Sequence, residues 1–367
     1  MQSKYFKAVV TLLLVAVVAT TLSLPGQPAL AGEPQAGRGD DLAITSTDSG
    51  LKSVGAPQPW TAAEMKAAIP YPMTDLAADE AAYAADALAG PNGPAGTMPG
   101  ARPGGKLLSE AAELGVEELG GVTPLGFTYP APFTRFNVEK IAAYTVYPFR
   151  TVGKLFFKQY GTSYVCSASV IGPRGIVTAG HCVHAGNGLS TGWSTNVVFV
   201  PAYRNGAAPY GQWSVPTLRT FTDWFNKGTK GDFDHDWGAG RITQIKNGKT
   251  IGQTVGYLGY AWNQNRNQDW WLLGYPQAAP FTGKFMVLCT SAYAYNSPFY
   301  SGGPAPVTVG CDATGGTSGG PWIMRFGSGN YVNGVNSHRA TARPKELSSP
   351  YADGNTKTAI FDWARSP

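Results

Sequence analysis

Two short stretches hold the residues best suited to chemistry: Thr178-Ala179-Gly180-His181-Cys182, at the close of an apolar run, and Gly316-Thr317-Ser318-Gly319-Gly320-Pro321 far downstream. A serine hydroxyl is a weak nucleophile until a base within hydrogen-bond reach takes its proton. His181 suits that task, because it ends a strand-like run and is held between a glycine and a cysteine. Glycines beside Ser318 let its hydroxyl stand clear of the backbone and let nearby N–H groups face an incoming carbonyl. The motifs are far apart in sequence, so a fold must bring them together. His184 reads as a loop residue, and His235 lies between Asp234 and Asp236, where it would be charged and poorly placed as a mobile proton carrier.

The imidazole needs a carboxylate on its other nitrogen, to fix the tautomer and stabilise the imidazolium that forms. The acidic run Asp232-Phe233-Asp234-His235-Asp236 offers three. Asp236 stands directly before Trp237-Gly238-Ala239, small and apolar enough to enter a core, and is the expected partner; Asp234 is the second candidate. The spacing of the three carboxylates superficially suits calcium. An EF-hand loop, however, wants Gly at its sixth position and Glu at its twelfth, and Trp237 and Thr243 stand there. Zinc held by His181, Cys182 and His184 would need adjacent ligands with no second cluster. No metal or cofactor is expected.

The paired motifs, in this order, resemble those of the trypsin-like (chymotrypsin-fold) serine peptidases, whose signatures read TAGHC or TAAHC and G-[DNQS]-SGGP. The secreted bacterial branch that includes the glutamyl endopeptidases is especially similar. The likeness runs from about Tyr144 onward. It implies an all-β fold of two antiparallel β-barrels with the active site between them. It implies a triad of His181, Asp236 and Ser318, and an oxyanion hole from the backbone N–H groups of Gly316 and Ser318. Digestive members carry Asp just before the serine, where it pairs with a newly freed N-terminus. Thr317 cannot do so, and latency would then rest on a propeptide that blocks or distorts the site.

The same likeness puts Asp312 at the foot of the pocket that receives the P1 side chain, the residue preceding the cleaved bond. It makes 334–339 the strand that pairs with substrate backbone. Glutamyl endopeptidases read an acidic P1 side chain with a His on this strand; Asn336 stands at that place, with His338 and Arg339 just beyond. Asp312, Ser337 and His338 are therefore the substrate-binding candidates, and P1 stays open among basic, acidic and small apolar classes.

The elements that must position these residues are legible in outline. In 367 residues the charged fraction is 14%, while glycine (47), proline (28) and aromatics are plentiful, which favours short strands and tight turns. Strand candidates follow closely at 164–171, 176–178, 197–200, 212–218, 254–260, 270–275, 283–289, 321–326 and 331–337. Turn signals such as Asn205-Gly206 and Asn247-Gly248 separate them, and 356–364 could close the chain as a helix. Lys4 and Lys7, the apolar run 8–24 and the small residues 29–31 read as a secretory signal peptide over 1–31. The Ala/Gly/Pro-rich stretch 32–130 reads as a flexible, removable propeptide, with a short Thr61-capped helix near Glu64. The barrels are expected at 131–247 and 248–367.

Export makes disulfides the natural state of Cys166, Cys182, Cys289 and Cys311, for which three pairings exist. The resemblance supports Cys166 with Cys182, leaving Cys289 with Cys311. A net charge of +5 without any basic run argues against nucleic-acid binding. The reading is a secreted, monomeric serine endopeptidase acting on protein or peptide substrates, with no membrane partner after signal cleavage. An inactive peptidase-like binding protein, or an esterase using the same triad, is the alternative.

Overall fold

Runs rich in β-branched and aromatic residues, broken by glycine-bearing turns, form strands throughout this computed structural model, which describes residues 42–48, 57–78, 93–104, 129–141 and 143–366. Four short strands precede the main body: β1 (Ala43–Thr45), β2 (Ile69–Pro70), β3 (Thr74–Leu76) and β4 (Gly96–Met98). After β5 (Phe133–Asn137) come β6 (Val152–Gln159), β7 (Thr162–Val170), β8 (Gly175–Ala179), β9 (Thr195–Pro201), β10 (Trp213–Ser214), β11 (Thr217–Phe221) and β12 (Trp237–Arg241). The rest are β13 (Gly259–Trp262), β14 (Asp269–Gly274), β15 (Val287–Asn296), β16 (Val307–Gly310), β17 (Pro321–Met324), β18 (Tyr331–Val335), β19 (His338–Ala340) and β20 (Glu346–Ser349).

The fold is all-β, two curled and mostly antiparallel sheets. One has the order β1-β11-β12-β8-β7-β6-β9-β10, and the other β3-β19-β20-β16-β15-β14-β17-β18-β13-β4. The chain passes from the first to the second between β12 and β13, over a turn in which Asn247 and Gly248 both have positive φ. β6 is buried along nearly its whole length, as is β8, because the first sheet curls around them. Leu155, Phe157, Val165, Ile176 and Val198 belong to the large apolar cluster there. Strand β5, in the stretch assigned by sequence to the first barrel, instead pairs antiparallel with β15 of the second sheet, from Phe133↔Ser291 to Asn137↔Val287.

Residues 354–365 are helical, with a π-helical stretch at Lys357–Asp362, and Asp353 caps the start by accepting from the Thr356 N–H. This helix covers the first sheet: Arg219 Nε donates to the Ala359 carbonyl, and Arg241 Nη2 to that of Trp363. Arg365 donates to the carbonyls of Ile171 and Leu258, one beside each sheet.

The proposed leader at 1–31 lies outside the described residues, as does much of 32–130. The described parts of the latter pack on the main body. β1 pairs with β11 and β4 with β13, both antiparallel. β2 runs parallel to β7 and β3 parallel to β19. The short helix Ala62–Ala67 carries a capping box in which Thr61 and Glu64 satisfy each other's backbone N–H groups. Composition gave no sign of this packing, because sparse anchors supply it: Trp60 and Met65 are buried in the large cluster.

Candidate active site

The register of β12 on β8 places the first two candidates together. Trp237 pairs with Ala179, so Asp236 and Gly180-His181 leave their strands at the same end. The Asp236 carboxylate, fully buried, takes hold of His181 at two points: Oδ1 accepts from the backbone N–H and Oδ2 from Nδ1, both at 2.8 Å. A carboxylate only accepts, so Nδ1 carries the proton and Nε2 presents a lone pair. Gly180 is required by close approach: a Cβ there would sit 3.0 Å from Asp236 Oδ1 and 2.9 Å from the Trp224 ring.

A third contact on Asp236 extends into a buried chain. Ser337 Oγ donates to Asp236 Oδ2 at 2.5 Å and also lies 3.0 Å from His338 Nδ1. Since the hydroxyl proton goes to the carboxylate, His338 Nδ1–H must be the donor to Ser337 Oγ. His338 Nε2 then accepts from Ser297 Oγ at 2.9 Å. Burial first, and then the nearby His181, push the His338 imidazole down to about 3, so it is neutral. His338 is fully buried against Phe233, and Ser337 faces the carboxylate. Both side chains are thus turned inward, into the chain of hydrogen bonds that ends on the Asp236 carboxylate.

Ser318 sits in the loop between β16 and β17. Gly316 and Gly319 have φ of +95° and +78°, conformations that favour glycine, and a Cβ on Gly319 would collide with Thr178 Oγ1. The loop is fastened by Ser167, whose N–H donates to the Ser318 carbonyl and whose hydroxyl donates to that of Gly316. Among the described residues no acceptor takes the N–H of Gly316 or of Ser318, so both are available to a developing oxyanion. Ser318 Oγ and His181 Nε2 are both buried, and among the described residues neither has a hydrogen-bond partner. The Tyr71 ring covers the imidazole, with ring centroids 5.3 Å apart and planes 30° apart.

The remaining candidates fall elsewhere. Asp234 accepts from the backbone N–H groups of Ser301 and Gly303, and Asp232 from Ser301 Oγ; neither reaches His181. His235 lies between those two carboxylates, 3.1 Å from Asp232 Oδ1. Burial alone would lower its pKa, but the flanking carboxylates outweigh it and hold the imidazole above its ordinary value. His184 is pushed down to about 4 by burial. Asp312 pairs with Arg135 at 2.5 Å, so its charge is already balanced. Cys166 is bonded to Cys182 and Cys289 to Cys311. The first bridge takes the Cys182 sulfur out of the zinc set of His181, Cys182 and His184.

Sequence reasoning missed three contacts, that of Asn336 among them although Asn336 itself was placed on the substrate strand. Asn336 holds the serine loop by donating to Thr317 and Leu273. Arg135 reaches Asp312 from 177 positions away, and Tyr71 lies over the imidazole. None of the three carries a sequence signal, since each acts through a partner distant in the chain.

The Trypsin family model matches residues 142–358, and the chain belongs to that family. It is similar to a thermostable serine protease, AL20, from an extremophilic microorganism: 34% identity and a TM-score of 0.53, over 59% of this chain and 97% of that one. It is 34% identical to a glutamyl endopeptidase of Bacillus licheniformis over 32% of this chain and 33% of that protein. To an extracellular metalloprotease of Bacillus subtilis it is 31% identical over 33% and 36%. The chain thus spans about a third of the length of the curated relatives it matches.

Proposed function

We propose that this chain is a secreted serine endopeptidase, made with an N-terminal segment that is removed on activation. The observation that carries the reading is the two-point hold of Asp236 on His181, which fixes the tautomer with Nε2 free to act as a base. His181 takes the Ser318 proton as Oγ attacks the scissile carbonyl, and the Gly316 and Ser318 amides stabilise the oxyanion. The imidazolium then protonates the leaving amine. Water, activated by the same imidazole, releases the acyl group from Ser318. Asp236 and the Ser337-His338 chain behind it keep the charge stabilised through both halves.

The ion pair between Asp312 and Arg135 argues against a P1 lysine or arginine, since a balanced carboxylate exerts little attraction. The substrates are proteins or peptides cleaved outside the cell by a monomer. Labelling the processed protein with a fluorophosphonate and mapping the adduct tests the reading, together with cleavage of a peptide library. An adduct on Ser318 with library turnover is expected; no adduct and no turnover would refute it, and turnover of simple esters alone would favour an esterase.

A further inference from the structure

We propose that residues 68–76 fill the cleft as a strand of reversed polarity, so that the chain blocks its own site without offering it a cleavable bond. This deepens the peptidase reading above and rests on it. The segment spans both sheets. On one side Ile69 pairs with Tyr164 and Pro70 with Val165, in parallel, and the Tyr71 N–H donates to the Val165 carbonyl at 2.9 Å. On the other side Thr74, Asp75 and Leu76 pair with His338, Arg339 and Ala340, again in parallel, and the Thr341 N–H donates to the Leu76 carbonyl at 2.7 Å. Ser318 and His181 lie between these edges, because Ser167 on β7 holds the Ser318 carbonyl and Ser337 precedes β19.

Direction decides the outcome. Acylation leaves the residues N-terminal to the broken bond on Ser318, and the strand through Ser337–Arg339 is the one expected to receive them. In segment 68–76 the residues on that strand are the C-terminal ones, Thr74–Leu76. A carbonyl presented to the oxyanion amides in this direction would turn its nitrogen away from His181. The imidazolium then has no leaving amine to protonate, and any attack collapses back. What meets the imidazole is a side chain, the Tyr71 ring, tied by its hydroxyl to Gln159 at 2.9 Å.

The segment is anchored along its length. Trp60 donates through Nε1 to the Asn196 carbonyl, and its backbone exchanges two bonds with the Gln212 side chain. Gln277 donates to the Ala68 carbonyl, and Arg339 holds the Asp75 carboxylate with two nitrogens. Met73 is buried in the apolar cluster that contains Ala313, next to Asp312. Gly315 leaves room for the crossing: a Cβ there would stand 2.8 Å from the Tyr71 carbonyl oxygen.

The test uses the full chain before processing. Its Ser318 should react with a fluorophosphonate about a hundredfold more slowly than processed enzyme, since only the open fraction reacts. Tyr71→Ala should recover about tenfold or more of that rate. Equal rates for intact and processed protein would overturn the proposal. Mass spectrometry during activation should find 68–76 whole while other parts of the N-terminal segment are cut. Cuts inside 68–76 appearing as early as the others would show substrate polarity and refute reversal. Hydrogen exchange in the Ser318→Ala full chain gives a readout independent of catalysis. The amides of Tyr71 and Thr341 should exchange slowly, and faster in Trp60→Ala; rapid exchange at both would remove the strand from the cleft. Protected amides in a protein whose processed form never labels would instead defeat the peptidase reading and leave the filled cleft standing.

Discussion

Asn336 grips Thr317 twice, its Nδ2 donating to the carbonyl and to the hydroxyl at 3.1 Å each. The same nitrogen reaches the Leu273 carbonyl, and Asn336 Oδ1 accepts from Trp322 Nε1. The loop that presents Ser318 is therefore supported from inside the second sheet, at the position where digestive relatives use an Asp paired with a new N-terminus. Adding one or two residues ahead of the processed N-terminus should leave kcat/KM within about twofold, the scatter expected of a surface change. Asn336→Ala should cost about 1–3 kcal/mol of stability through acceptors left unpaired, with kcat falling as the loop loosens. Urea melts and steady-state kinetics check both, and an enzyme sensitive to the N-terminal extension would contradict the internal support.

For the triad, Ser318→Ala, His181→Ala and the double variant should fall to about the same floor, because the groups act as a unit. Asp236→Asn should lower kcat by about four orders of magnitude, through the wrong tautomer at His181. Asp234→Asn should spare kcat and show its effect in the melting temperature, since its partners are Ser301 and Gly303. The reverse pattern between the two aspartates would overturn the assignment.

The buried histidines give stability a pH dependence whose sign is fixed by their neutral state. His184 is pushed down to about 4 and His338 to about 3, whereas in the unfolded chain both titrate near the ordinary histidine value of about 6.5. Between these values the unfolded state binds protons that the native state does not. The contribution of these two is thus full above about pH 6.5 and falls as the pH drops toward 4, by at most about 1.4 kcal/mol per pH unit for each. His235, held above its ordinary value, acts in the opposite sense. Denaturant melts of Ser318→Ala from pH 7 to pH 4 would show the slope. His184→Gln should flatten it, and an unchanged slope in that variant would assign it to other groups.

Asp312→Ser should leave the ratio of P1 lysine to P1 leucine turnover unchanged within a few-fold, because Arg135 already balances the carboxylate. A selective loss of basic P1 turnover by orders of magnitude would make Asp312 the selector after all. Arg135→Ala supplies the complement: freeing the carboxylate should raise basic P1 turnover relative to leucine.

Maturation should cut upstream of Phe133, since β5 is paired along its length with β15 and its loss would strip an edge from the second sheet. N-terminal sequencing of active enzyme gives the answer. A start beyond Asn137 would mean that β5 is dispensable.

The sequence made some of this legible and hid the rest for physical reasons. His181 and Ser318 stand in contiguous motifs, and Asp236 was found from the small apolar strand that follows it. The burial of the His338 side chain is hidden in the sequence because its surroundings come from elsewhere: Ser297 and Phe299 lie about forty positions upstream and Phe233 over a hundred. Composition cast the N-terminal segment as flexible, since alanine and glycine bury little. The segment docks by pairing its short strands with the main body and by widely spaced anchors, Trp60, Met65, Tyr71 and Met73 among them. An anchor placed once per several residues leaves no periodicity to read.

The helix at 354–365 follows every strand of both sheets in the chain, yet it caps the first sheet and, through Arg365, touches the surroundings of the second. The first sheet, early in the chain, therefore takes part of its cover from some of the last residues made. On the function proposed above, a competent site would be completed only with this last helix, and the 68–76 segment, which precedes the main strands of both sheets in the chain, would be present to meet it.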